Sequence, residues 1–346
     1  MALSVASDLP LEHSFAPATS RIVDSLLIRR FDKLGFAVPQ NNWNNKAKKI
    51  KGATVFEVFK PGIYENVGIF DFKSMYPSVM IRNNICPTTF TKTKTDDSVR
   101  SPLGVYFRLD KESIVPKILK DLWDWRDETK LKIKKNGDYF DRLQYSIKVL
   151  MNSFYGVMAS DFYRFTNPSI GGSITAFARL GIQNVYEELG ARKYTVIYGD
   201  TDSVFVQLKD EDPFELAKEL SARGLEMELE KILETFFTHG AKKRYAAKVE
   251  WPKKEFYVKG YELKRGDSFK IQREILEKSL RLILDKKPDE ALRLVTETVN
   301  TIKNTEVDLE DLLITKSVKS PKDYVNPDSN AGVQAAMKLQ ARGYPW

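Results

Sequence analysis

The stretch from Tyr194 to Leu208 constrains this chain more than any other. Two apolar runs, Tyr194-Thr-Val-Ile-Tyr198 and Ser203-Val-Phe-Val-Gln-Leu208, flank Gly199-Asp-Thr-Asp202. β-Branched and aromatic runs around a short acidic break predict a hairpin with Asp200 and Asp202 at its turn. Asp is a favoured turn residue, so on spacing alone a solvated turn accounts for the pair. Another run, Asn66-Val-Gly-Ile-Phe-Asp-Phe72, carries a third carboxylate, Asp71, at its end. An acidic group closing a buried strand is costly unless it is paired or metal-bound. Two such strands side by side would bring Asp71 and Asp202 together. Their charges repel and each resists ionising, a conflict that a divalent cation resolves.

The rest of the composition narrows the chemistry. A single cysteine, Cys86, excludes a disulfide framework and a cysteine zinc site, and two histidines, His13 and His239, cannot build a histidine metal centre. Any metal ligands are then carboxylates and the metal is hard, Mg²⁺ or Mn²⁺. No apolar run approaches the ~20 residues of a membrane span, and the first residues lack the pattern of a signal peptide. The expectation is a soluble protein of a reducing compartment, cytoplasmic and nucleoid-associated if prokaryotic, with no membrane contact. The 346 residues suggest two or three domains.

Periodicity predicts a helix over about 21–34, then a polar, Asn-rich boundary over 38–50. Strands are expected at 54–59 and 66–72 around the Pro61-Gly62 turn. Residues 114–159 read as two helices broken at Asn136-Gly137-Asp138, a helical hairpin. Further helices are expected over 173–189, 214–237, 270–284, 288–302 and 331–340, with alternating strand character over 248–263.

The second helix of the hairpin carries Lys148, Asn152 and Tyr155 at i, i+4 and i+7, hence on one face. Arg126 and Lys130 share a face of the first. Three cations presented to one space suit a triphosphate, although an ordinary solvated basic face is the simpler account of Lys130 alone. The chain has a net charge of +8, and residues 242–273 concentrate eleven Lys and Arg against four acidic residues. Such a concentration is the electrostatic footprint of a phosphate backbone.

Four segments, in order, resemble the motifs of family B DNA polymerases. Asp71-Phe-Lys-Ser-Met-Tyr-Pro-Ser78 is similar to motif A (D-x-x-S-L-Y-P-S), and Lys148-Val-Leu-Met-Asn-Ser-Phe-Tyr-Gly156 to motif B (K-x-x-x-N-S-x-Y-G). Tyr198-Gly-Asp-Thr-Asp-Ser203 matches motif C at every position, and Lys242-Lys-Arg-Tyr245 resembles the K-K-x-Y motif. The resemblance covers roughly residues 54–342 and is strongest to archaeal and other cellular members. It implies an α+β fold of right-hand polymerase architecture, with an antiparallel-sheet palm, helical-hairpin fingers and a helical, truncated thumb. The corresponding ranges are 1–50 for an N-terminal connector, 51–113 and 161–240 for the palm, 114–160 for the fingers and 241–346 for the thumb.

The resemblance also implies roles. Asp71, Asp202 and the more peripheral Asp200 are the catalytic carboxylates. Asp71 and Asp202, with Phe72, are the metal-holding positions for two Mg²⁺ ions, for which Mn²⁺ substitutes. Ser74, Met75, Tyr76, Arg126, Lys130, Lys148, Asn152 and Tyr155 bind the incoming nucleotide, Tyr76 as the steric gate against a 2′-OH. Lys242, Lys243, Arg244, Tyr245, Lys264 and Arg265 contact DNA. The partners implied are primer-template DNA and dNTPs.

Two departures set further expectations. Only about 70 residues precede Asp71, too few for the family's 3′–5′ exonuclease domain, so polymerisation without proofreading is expected. Asp308-Leu-Glu310 mimics the first exonuclease motif but lies after motif C and reads as an acidic helix start. Trp346 falls inside the expected thumb, which leaves a minimal polymerase, a truncated chain, or one part of a split enzyme with a companion polymerase subunit. An inactive, polymerase-like DNA-binding subunit is the remaining alternative. The element between exonuclease and palm, Y-x-G-G, is reduced here to Lys51-Gly-Ala-Thr54.

Overall fold

The computed structural model describes residues 2–15, 19–40, 50–52, 60–160, 163–221, 225–264, 268–314, 317–324 and 326–344. The strand expected at 54–59 lies outside them, as does Arg265. The chain divides into two compact units, residues 1–59 with 68–232, and residues 60–67 with 233–346.

The first unit opens with helices α1 (Ala2–Ser7), α2 (Leu11–Phe15) and α3 (Thr19–Lys33). α3 buries Ile22, Val23, Leu27 and Phe31, a stripe at helical spacing. Strand β1 (Gly62–Phe72) enters this unit at Gly68 and leads through a turn into α4 (Met75–Arg82). A small antiparallel sheet follows, β2 (Phe90–Thr91), β3 (Ser98–Arg100) and β4 (Tyr106–Arg108), in the order β2-β4-β3.

Helix α5 is assigned without interruption from Ile114 to Ala159. Yet Arg126 Nε donates to Gln144 Oε1 at 3.3 Å, eighteen residues on. A straight helix would hold those positions ~27 Å apart. The element therefore reverses between them and its two limbs lie antiparallel, as expected for a helical hairpin. Leu122 and Thr129 on one limb, and Leu143, Ile147 and Leu150 on the other, are buried.

Helix α6 (Pro168–Ala191) starts on Asn167, whose side chain accepts from the amides of Ser169 (2.9 Å) and Ile170 (3.3 Å), with Pro168 in its first turn. Then come β5 (Val196–Asp200), β6 (Ser203–Gln207), α7 (Pro213–Ser221) and β7 (Met227–Thr238). In this unit the strand order is β5-β6-β1-β7, using residues 68–72 of β1 and 227–232 of β7.

The helix expected over 214–237 is a correction. Among the described residues of that range only Pro213–Ser221 is helical, and Met227 begins a twelve-residue strand. Met227, Leu229, Leu233 and Thr235 are buried while Glu228, Glu230 and Glu234 are exposed. That is the period of two of a half-buried strand, which outweighs the helix propensity of Glu, Leu and Lys.

The second unit holds residues 62–67 of β1 and 233–238 of β7, then β8 (Tyr245–Trp251), β9 (Glu255–Lys259), α8 (Lys270–Leu284), α9 (Pro288–Lys303) and α10 (Ala331–Gln340). Its strand order is β1-β7-β8-β9, and β8 pairs antiparallel with β9 from Tyr245↔Lys259 to Val249↔Glu255. Leu280 and Leu284 of α8 pack with Ala246 of β8, flanked by Phe256, Val258 and Leu263. Asp308 accepts from the Glu310 amide at 3.1 Å and caps a short 3₁₀ turn, Leu309–Leu312, as its reading as an acidic helix start expected.

Gly260, just past β9, has φ +75°, and a Cβ there would lie 1.9 Å from the Lys243 carbonyl oxygen and 2.9 Å from its carbon. Both obstacles are backbone. Gly260→Ala is expected to cost about 2 kcal/mol or more and to lower Tm by several degrees. An unchanged Tm in calorimetry would mean that the turn is not held against Lys243.

Candidate active site

The hairpin β5–β6 closes with Asp200 opposite Ser203. Thr201 takes the left-handed conformation at φ +61°, and the Asp202 amide donates to the Asp200 carbonyl at 2.6 Å. Asp200 is 5 % exposed and its Oδ1 accepts from Thr201 Oγ1 at 3.2 Å. This turn is buried on its Asp200 side and is not the freely solvated loop that spacing alone allowed. β6 lies beside β1, and the Phe72 amide donates to the Asp202 carbonyl at 2.9 Å. Asp71 and Asp202 thus stand on adjoining strand ends.

The electrostatics follow from that placement. Burial pushes the Asp71 carboxyl up to about 8, and the charges of Asp202, Glu230 and Glu228 push in the same direction against Lys148. Glu228 and Glu230 sit on the exposed face of β7, the neighbour of β1 on its other side. Reading 214–237 as helix hid them; the alternation Met227-Glu-Leu-Glu230 is the signal. Among the described residues, no group of three or more Asp, Glu, His or Cys side chains is already gathered to hold a metal ion. The donor chemistry nonetheless fits a hard cation, because crowded carboxylates that resist ionising are relieved by a positive charge beside them. Phe72 has a buried ring, so it can offer a cation only its backbone carbonyl.

The turn from β1 to α4 brings in the next residues. Ser74 is left-handed, at φ 47° and ψ 57°, and Met75 opens the helix with its side chain buried. The Lys73 amide donates to the Glu226 carbonyl at 2.9 Å, and Ser78 Oγ donates to the Lys73 carbonyl at 2.7 Å, which fixes the turn. Tyr76, the second residue of α4, stacks on Tyr155 of α5 with ring centroids 4.5 Å apart and planes tilted 32°. Burial, Tyr155 and Asp202 push the Tyr76 phenol up to about 12, while Arg179 acts the other way. Arg179 of α6 was not singled out from the sequence. Its Nη1 donates to the carbonyls of Lys51 (2.8 Å) and Gly52 (2.7 Å), and Thr175 Oγ1 adds a bond to Lys51 at 2.9 Å.

The cations of α5 are distributed unevenly. Arg126 is half-buried, and its guanidinium is held below its usual range by burial, against the pull of Asp127 and Glu228. Lys130 pairs with Asp127 at 3.6 Å across one turn. Lys148 is exposed and its charge reaches Asp71; Asn152 is exposed on the same limb.

In the second unit, Lys242 and Lys243 are exposed, and two neighbours expected on DNA make contacts within the protein. Arg244 Nη2 bonds Glu262 Oε1 at 2.6 Å. Tyr245 is 3 % exposed, with its ring against Phe236 (5.4 Å) and Tyr257 (6.0 Å). An ion pair holds the guanidinium, whose side chain is still 41 % exposed, and the β-sheet core holds the ring. Part of the positive excess is also neutralised from outside the 242–273 stretch, Lys248 by Asp285 and Lys270 by Asp311. The side chain of Lys264, like Arg265, lies outside the described residues.

Comparison with known proteins places this arrangement. A DNA polymerase of Archaeoglobus fulgidus is 34 % identical over 361 residues, spanning 99 % of this chain and 45 % of the relative. DNA polymerase 2 of Aeropyrum pernix is 30 % identical over 332 residues, spanning 92 % and 41 %. The structure of the family B DNA polymerase from the hyperthermophilic archaeon Pyrobaculum calidifontis matches with a TM-score of 0.76 at 30 % identity, over 99 % of this chain and 46 % of that one. The chain therefore spans less than half the length of these relatives, and its mixed helix and antiparallel-sheet fold matches that solved structure over this span. The profile of DNA polymerase family B matches residues 9–345, nearly end to end, and the chain belongs to that family.

Proposed function

We propose that this chain adds dNTPs to a primer 3′-OH under the direction of a DNA template. Residues 51–113 and 161–240 act as palm, 114–160 as fingers and 241–346 as thumb, with 1–50 as connector. The observation that carries this is Asp71 on the strand adjoining the Asp200-Thr-Asp202 hairpin, its carboxyl pushed up to about 8 by burial and neighbouring carboxylates.

The chain's own residues then have distinct tasks. Arg126, Lys130 and Lys148 hold the triphosphate, with Ser74 and Met75 at the left-handed turn. Asn152 and Tyr155 line the nucleotide side of α5, and Tyr76 faces the sugar. Lys242 and Lys243 follow the DNA backbone. Asp71 and Asp202 would hold two divalent cations, Mg²⁺ with Mn²⁺ as a substitute, which when bound neutralise charge on the attacking and leaving oxygens. The 3′-oxygen forms its bond to the α-phosphorus as the bond to the pyrophosphate oxygen breaks, with alignment and charge neutralisation doing the catalysis.

Excision of the primer is not among the tasks we assign to these residues. Asp308, in the one segment that mimics an exonuclease motif, is engaged in capping a 3₁₀ turn. The test is primer extension by the 346 residues with dNTPs and Mg²⁺, run beside a 3′-mismatched primer without dNTPs. Extension without shortening is expected. Shortening of the mismatched primer would overturn the absence of proofreading. Tight primer-template binding with no extension would favour an inactive DNA-binding subunit.

A further inference from the structure

Lys73 lies two residues after Asp71, and its side chain is only 16 % exposed. Its ammonium is 3.2 and 3.3 Å from the two carboxylate oxygens of Glu226 and 3.7 Å from Glu228 Oε1. On another side it stands 5.4 Å from the centroid of the Trp123 ring. An amine this far out of water needs partners, and a lysine, with three donors on a flexible stem, can serve two carboxylates while facing a ring. Trp123 belongs to the first limb of α5 and precedes Arg126 by three residues, so the two share a face. Glu228 acts electrostatically on both Arg126 and Asp71. One largely shielded cation therefore touches the glutamate-bearing strand, the turn that follows Asp71, and the limb that carries Arg126.

Resting on the polymerase reading above, we propose that Lys73 is a positioning residue: it fastens the first limb of α5, through Trp123, to Glu226 and Glu228 at the start of β7, and so sets where Arg126 stands for the incoming triphosphate. Its removal has two consequences. The limb loses its tether, and two carboxylates regain unscreened charge beside a site that must accept a polyanion. Both weaken nucleotide binding more than the chemical step.

The experiment compares Lys73→Met, Lys73→Arg, Trp123→Leu and the double variant Lys73→Met/Trp123→Leu in the whole chain. For Lys73→Met, the KM for dNTP is expected to rise about tenfold with kcat within about threefold, and primer-template affinity to stay unchanged. Arginine keeps the charge and the ring contact and should restore KM to within about threefold. The double variant should be no worse than Lys73→Met, because the two changes cut one connection. Independently of catalysis, the Trp123 emission, taken as the wild-type minus Trp123→Leu difference spectrum, should shift to the red in Lys73→Met.

Equal losses in KM and kcat, additive effects, or an arginine variant as impaired as methionine would overturn the proposal. If Lys73→Met unfolds, the arginine and Trp123→Leu variants still decide it through KM. An unshifted Trp123 emission in a folded Lys73→Met overturns it whatever the kinetics. Absence of extension by the wild type, with the emission shift present, would instead refute the polymerase reading and leave the tether standing.

Discussion

Asp71→Asn is expected to abolish primer extension, by ~10³-fold or more, while making the protein harder to unfold. The two effects have one cause. Asp71 keeps its proton in the fold up to about pH 8, against 3.8 in an unperturbed chain, because it is buried and because Asp202, Glu230 and Glu228 crowd it. In that window the unfolded chain binds fewer protons than the folded one, so stability falls as pH rises from about 4 to about 8 and is flat outside it. Asparagine keeps the shape, carries no charge and has no such window. At pH 7 the variant should gain on the order of 4 kcal/mol, and the gain should vanish near pH 4.

Mg²⁺ should raise the Tm of the wild type at pH 7 by linkage and leave Asp71→Asn nearly unmoved. Scanning calorimetry at several pH values, with and without Mg²⁺, checks each part. A variant less stable than the wild type at pH 7, or one that still responds to Mg²⁺, would show that the carboxylates are not the strained donor pair described above.

Tyr76→Ala is expected to lower the preference for dNTP over rNTP, as the ratio of kcat/KM values, by ~10²-fold or more. The argument is steric. The Tyr76 ring is fixed by stacking on Tyr155 at 4.5 Å, and burial keeps its phenol neutral by pushing it up to about 12. Deleting it removes a wall and no charge, so the contacts to triphosphate and metal survive and dNTP use should change far less than rNTP use. Tyr76→Phe keeps the ring and should keep the discrimination. An unchanged ratio in Tyr76→Ala would reduce the ring to a packing partner of Tyr155 and remove the sugar pocket from this face of α4.

The local signals in this chain were strong wherever one residue's environment is set by its sequence neighbours. The β5–β6 hairpin and the amphipathic helices α3, α8, α9 and α10 follow from periodicity and turn chemistry, whereas α6 is expected only from residue 173 and in the fold begins at Pro168, behind Asn167. The strand-end carboxylates Asp71, Asp200 and Asp202 stand out as candidates from local sequence, and Tyr76 is a candidate through the family resemblance. Where helix propensity and alternation competed, propensity misled: β7 reads as helix by composition, and with it Glu228 and Glu230 were lost.

Other features depend on partners far away in the chain, and only the tertiary structure decided them. Arg179 gains its role from the carbonyls of Lys51 and Gly52, more than 120 residues distant. Arg244 and Tyr245 lie in a basic motif that suggests DNA; only the fold shows that Arg244 pairs with Glu262 and that the Tyr245 ring packs among aromatic rings. The charge of residues 242–273 is a sum that the sequence contains, but whether a given lysine faces solvent or an aspartate such as Asp285 or Asp311 is a matter of packing. Sequence specifies which charges exist and their local geometry; burial and long-range pairing determine which of them remain available to a ligand.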